Sequence, residues 1–181
     1  MKRFILIIPI IVFIIIIAVL SVMTLQTKEG RNPSIVPSAL LGKEAPNIEL
    51  PMLARNIPGG FKGSDLVGRV NIVNVFSSWC VPCLAEHPQI SWLATNGFPI
   101  YAINHRDNVS DASNWLKKHG NPYVAVGFDP EGRASLEWGV GGVPETFIIN
   151  ASGIITYKHI GPITKEILKE KILPKLHEAK R

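Results

Sequence analysis

The segment Val70–Phe76 is rich in β-branched and apolar residues, and it stops abruptly at Ser77, Ser78 and Trp79, ahead of Cys80-Val81-Pro82-Cys83. A run of this kind reads as a strand covered on both faces of a sheet. Ser77 and Ser78 break it and are able to cap a following helix. A buried strand feeding a helix belongs at the centre of an α/β sheet. The turn between them then lies at the carboxyl end of that strand, where open α/β sheets place their sites.

Cys80 and Cys83 are the only two cysteines of the 181 residues. Strand, turn, Cys-x-x-Cys and helix together read as a redox-active dithiol. Cys80 falls at the first helical turn, where backbone N–H groups are unpaired and the helix dipole is positive. That field favours a thiolate, so Cys80 is expected to titrate below the free value of roughly 8.5. Pro82 suits the first turn, since its missing N–H would have no partner there. Cys83 lies one turn deeper. Cys80 is therefore the attacking sulfur and Cys83 the resolving one. A purely structural disulfide closing so short a loop contributes only about 2 kcal/mol. A metal site needs two further ligands, which no other cysteine supplies. Covalent haem needs a histidine directly after the second cysteine, and Leu84 stands there.

The length fits one domain plus a membrane segment. The formal net charge is +5, of which Lys2 and Arg3 supply two, leaving +3. No basic stripe with interleaved aromatics occurs, so nucleic acid is excluded as a partner. Phe4–Leu20 is apolar apart from Pro9, and Val22, Met23 and Leu25 prolong it. About 20 such residues span a bilayer. The run is too long for a cleaved signal core and no Ala-x-Ala site follows. Residues 1–25 are read as an uncleaved signal anchor, its N-terminus kept cytoplasmic by Lys2 and Arg3. Residues 26–40 are polar with Gly30, Pro33 and Pro37, a linker. Residues 41–181 form the folded domain.

Within that domain Asn47–Leu50 and Phe61–Leu66 are expected to form a short hairpin around Pro58-Gly59-Gly60. After the central strand come a helix over Cys80–Thr95 with Pro88 inside it, a strand over Pro99–Asn104, and a helix over Asp111–His119 ending at Gly120. A strand over Tyr123–Phe128, a turn at Asp129–Gly132 and a short helix over Arg133–Trp138 follow. Glu145–Asn150 and Ile154–Ile160 flank Ala151-Ser152-Gly153, a hairpin signal. Thr164 caps a last helix running to about His177. The order β-α-β-α-β-α-β-β-α predicts a mixed α/β sheet with helices on both faces.

The chain resembles the thioredoxin superfamily in Trp79-Cys80-Val81-Pro82-Cys83, in Pro88, and in Gly142-Val143-Pro144. More narrowly it resembles the membrane-anchored thiol:disulfide interchange proteins of cytochrome c maturation, the DsbE/CcmG type. The stretches that carry this are Trp79 to Glu86-His87-Pro88, Gly120–Tyr123, Gly127–Gly132, Trp138–Val140, Gly142–Phe147 and Tyr157–Pro162. The resemblance implies a thioredoxin-like fold and a periplasmic reductant on the bacterial inner membrane. Its expected partner is apocytochrome c or a thiol protein that handles it. A membrane electron donor of the DsbD/CcdA type recharges it. No cofactor is implied.

Asn74 stands where ordinary thioredoxins carry a buried aspartate, and the resemblance places the carboxyl groups of the site at Glu86 and Glu145 instead. Glu86 follows Cys83 by three residues on one helix face. If buried there it would titrate high and accept the Cys83 proton; the alternative is a surface salt bridge. The resemblance also implies a cis bond before Pro144, with the Val143 backbone facing Cys80 to pair with an incoming peptide. Glu145 is expected to set the charge of that groove, and Trp79 to stack beside the sulfurs and touch the partner. His87, His105, His119 and His159 lack metal-ligand spacing, and Asp129 reads as a helix cap. Two rival functions remain. A general oxidant or isomerase needs a strongly stabilised thiolate, which nearby carboxylates oppose. A copper-delivery module would bind through both cysteines and a histidine.

Overall fold

The computed structural model describes residues 11–22 and 39–181. Residues 11–22 are helical, and they belong to a different compact unit from residues 39–181. Among the described residues no helix is long and apolar enough to cross a membrane. The anchor expected over residues 1–25 extends beyond the described helix at both ends, and most of the expected linker lies outside the described residues.

The folded unit is built on five strands: β1 (Asn71–Phe76), β2 (Ile100–His105), β3 (Ala125–Asp129), β4 (Glu145–Ile149) and β5 (Ile155–Ile160). Their order across the sheet is β3-β2-β1-β4-β5. β1, β2 and β3 run parallel, while β4 pairs antiparallel with both β1 and β5. β1 is central and buried at every position, which is why its sequence shows no clean alternation.

The parallel crossovers carry α1 (Val81–Thr95) and α2 (Val109–His119), and α3 (Arg133–Glu137) follows β3. The last helix, α4, runs Lys165–Ile167, Leu168–Ile172 and Leu173–Ala179, the middle piece being a π-turn. Pro174 has no N–H for the carbonyl four residues back, a reason for the ladder to widen there. Ile90 and Leu93 of α1, Trp115 and Leu116 of α2, and Ile172 and Leu176 of α4 cover one face of the sheet, over Ile72, Phe76 and Ile100. The other face packs Val73, Val75, Ile103 and Phe147 under Ala134, Trp138 and the N-terminal segment. The thioredoxin-like mixed α/β fold is thus as expected.

That segment differs from the expected hairpin. Leu50 and Phe61 form a single antiparallel bridge, and Gly63–Leu66 is a turn of 3-10 helix. Side chains take the N–H groups a ladder would use: Asp65 accepts from Lys62 N and Asn47 from Ser64 N. The segment instead runs along the β3 edge and meets the start of β5. Gly42 and Lys43 bond the backbone of Ile155 beside β5, and the carbonyls of Pro51, Pro58 and Gly59 accept from Phe128 and Val126 of β3. The β3 edge so covered offers no template for pairing with another chain.

Candidate active site

Cys80 is the N-cap of α1, with extended backbone, and its Sγ accepts the Cys83 N–H at 3.1 Å. The two cysteines are joined as a disulfide. The sulfur of Cys80 therefore sits where helix amides converge, as the sequence requires. The disulfide is buried, with Cys80 4% and Cys83 2% exposed, while Trp79 beside it is 59% exposed. The Trp79 indole N–H donates to the Arg106 carbonyl at 3.0 Å. This fixes an exposed aromatic ring on the residue that precedes Cys80.

Glu86 lies on the buried side of α1 with Cys83, His87, Ile90 and Leu93. Its Oε1 accepts from the Asn74 amide at 2.9 Å and its Oε2 from the Ile163 N–H at 2.9 Å. Burial raises its ionisation to about 7, and these two donors only partly oppose the shift. Asn74 is held in turn: its amide also donates to Thr146 Oγ1, and its Oδ1 accepts the Tyr123 hydroxyl at 2.9 Å. Burial, and the Glu86 charge after it, push the Tyr123 phenol well above its ordinary value. A buried carboxyl is thus held against the central strand by a neutral amide, which is itself held by a neutral hydroxyl. The sequence offered no sign of Tyr123 or Thr146 in this network.

The Val143–Pro144 bond is cis. Val143 is half-buried against the apolar cluster that contains Cys80 and Cys83, and the Pro144 carbonyl accepts from Gly161 N. Glu145 is not brought to Glu86. Successive strand residues point to opposite faces; Thr146 pairs with Asn74 and Glu145 with Val75. The Glu145 carboxylate is buried on the far face, 2.9 Å from Lys158 Nζ, and it accepts from Gly141 N at 3.1 Å. Lys158 also donates to the Gly139 carbonyl at 2.7 Å. This pair ties down the Gly139–Val143 loop from beneath.

Asp129 caps α3, accepting from Ala134 N, Ser135 N and Ser135 Oγ. His105 bonds Ser135, and His87 packs edge-on against Trp115 with its Nε2 on the His119 and Gly120 carbonyls.

Such a site can pass two electrons by thiol–disulfide exchange. The Redoxin family model matches residues 40–175. The chain belongs to that family. Among relatives, the thiol:disulfide interchange protein DsbE of Escherichia coli is 39% identical over 96% of this chain and 94% of its own length. CycY of Rhizobium leguminosarum, also named a thiol:disulfide interchange protein, is 38% identical over 99% and 97%. The crystal structure of a DsbE-type protein from Chlorobium tepidum matches with a TM-score of 0.67 at 28% identity, covering 77% of this chain and 96% of that one. This redoxin is accordingly a thiol–disulfide oxidoreductase of the DsbE type, and Cys80–Cys83 is its redox pair.

Proposed function

We propose that the protein is a membrane-tethered reductant of cytochrome c biogenesis, acting on apocytochrome c or on a thiol protein that serves it. The observation that carries this reading is the buried carboxyl of Glu86 on the face of α1 that holds Cys83, with its ionisation raised to about 7. A carboxyl poised there accepts a proton near neutral pH, and its charge disfavours a thiolate, which biases the pair towards the disulfide and hence towards donating electrons.

The exchange runs in two steps. The Cys80 thiolate attacks one sulfur of the partner disulfide and releases the other as a thiolate. Cys83 passes its proton to Glu86 and attacks Cys80; the second partner sulfur leaves, and the Cys80–Cys83 disulfide remains. Trp79 and the Val143–Pro144 backbone receive the partner, and Glu145 serves through the loop it holds. A membrane electron donor of the DsbD/CcdA type returns the pair to the dithiol.

Support for tethering comes from residues 11–22, a helix apolar at every position but Ser21 and exposed throughout. A helix apolar all round belongs in lipid or in a core. With the basic start, it favours an anchor over residues 1–25, a linker over residues 26–40, and a domain from residue 41 on the periplasmic side of the inner membrane. A tether raises the effective concentration of the domain near membrane partners.

In Cys83→Ser the second step cannot occur, so a mixed disulfide between Cys80 and the partner accumulates. Mass spectrometry of that adduct from cells assembling cytochrome c identifies the partner. Absence of any adduct, or an adduct only with proteins unconnected to cytochrome c, overturns the assignment. A reduction potential between about −300 and −200 mV accords with a reductant, and one near −120 mV marks an oxidant.

A further inference from the structure

Three consecutive residues ahead of the first cysteine are each bonded to one of three consecutive residues at the end of β2, His105 to Asp107. Ser77 Oγ donates to the His105 carbonyl, and the Trp79 indole to the Arg106 carbonyl. Ser78 is gripped by Asp107. Its N–H donates to Oδ2 at 2.6 Å and its hydroxyl to Oδ1 at 2.8 Å. The same carboxylate accepts from Asn104 Nδ2 at 3.0 Å and from Asn108 N at 2.9 Å. Arg106 is the one non-glycine residue with positive φ among those described, at 44°, in the left-handed region that ordinary side chains avoid. Its turn sets Asp107 against Ser78.

All four donors on Asp107 are neutral, so its charge is solvated by dipoles and not cancelled. Arg106 makes no ion pair with it among the described residues; its Nε stands over Gly132. The other charged and titratable groups around this corner are engaged elsewhere. Glu86 is on α1 with Asn74 and Ile163. Glu145 is paired with Lys158 on the far face, and the His105 ring is held by Ser135.

We propose that Asp107 is a positioning residue for Cys80, acting through Ser78. It fixes the turn that aims the sulfur into the N-terminus of α1, and its uncancelled negative charge, bonded to Ser78 two residues ahead of Cys80, holds back the thiolate. The helix amides pull the Cys80 proton off and Asp107 restrains them. The balance keeps the pair reducing. The inference rests on Cys80 being the attacking sulfur, as in the proposed function.

The test is the pH dependence of alkylation of the reduced full-length protein by iodoacetamide, in wild type, Asp107→Asn and Ser78→Ala. Asparagine keeps an acceptor for Ser78 and removes the charge. Cys80 of Asp107→Asn is expected to titrate at lower pH, with about threefold more thiolate at a pH below its midpoint, the effect of one solvent-screened unit charge at this range. Where the thiolate predominates, the equilibrium with glutathione moves by the same factor, about 14 mV less reducing for a two-electron couple. Asp107→Glu restores the wild-type direction. Ser78→Ala keeps the charge and is expected to titrate at or above wild type. Should Asp107→Asn fail to fold by circular dichroism, Asp107→Ser takes its place. A neutral variant that titrates at or above the wild-type pH overturns the proposal, as does Ser78→Ala matching it. A wild-type Cys80 that titrates like a free thiol overturns instead the reading on which the proposal rests.

Discussion

At the scale of single residues, the two glutamates expected at the site differ in what each faces. Glu86 meets only neutral donors, and burial raises its ionisation to about 7. Glu145 meets a lysine. Its side chain is 2% exposed and that of Lys158 7%, so the pair is almost wholly removed from water. A buried pair is costly to break from one side, because the remaining charge has no solvent to turn to. Lys158→Met is therefore expected to lower stability by about 3–5 kcal/mol. It should also free the Gly139–Val143 loop, read as faster amide exchange at Gly141. A loss under about 1 kcal/mol in chemical denaturation would show the pair to be dispensable. The sequence could not separate the two glutamates. Helical spacing places Glu86 beside Cys83, but Glu145 begins a strand of five residues that are all buried. With apolar residues on both faces the pattern has no phase, and a shift of one residue decides the face. The Asp107–Ser78 contact was equally hidden, since it joins residues 29 apart.

At the scale of elements, what the sequence made legible followed from repeating patterns. All five strands and the four helices after β1 lie within a few residues of where period, caps and glycines placed them. Among the boundaries that moved, α2 starts at Val109 and not Asp111, because Asn108 is its N-cap and accepts the Asp111 N–H. The N-terminal segment was misread because its bonds go to side chains and to distant edges. Its grip on β3 depends on Gly127. A Cβ there would lie 2.5 Å from the Leu50 Cβ, and Leu50 is itself buried. Gly127→Ala should thus push the segment off the edge strand and cost about 1–3 kcal/mol, the range for overpacking. Hydrogen exchange at Val126 and Phe128, whose amides donate to Pro58, Gly59 and Pro51, should quicken ahead of exchange in β1. Uniform quickening across the sheet would show that the segment does not open as a separate unit.

At the scale of the whole molecule, the same buried groups that equip the site shape how stability depends on pH. Between 4.5 and about 7 the native protein holds the Glu86 proton while an unfolded chain releases it. The native state binds more protons in this window, so stability falls as pH rises through it. Over 2.5 units (7 − 4.5) the loss is roughly 3 kcal/mol at about 1.4 kcal/mol per unit. The histidines act in the opposite sense. Burial pushes His87, His105 and His159 below 6.5, so the unfolded chain binds more protons, and stability is lost as pH falls through that region. The two slopes oppose each other across the mildly acidic range, and the wild-type curve should be shallow there. Glu86→Gln keeps one oxygen that can accept from Asn74 or from Ile163, and it removes the titration. Its stability, measured on the disulfide form by denaturant unfolding, should rise more steeply than wild type from pH 5 to 7. Relative to wild type it should gain roughly 3 kcal/mol between pH 4 and 8. Parallel curves for the two proteins would mean that Glu86 ionises at an ordinary pH in the fold. The carboxylate would then be too weak a base to hold the Cys83 proton near neutral pH, so a stability measurement on the oxidised protein tests the proton step of the reduced one.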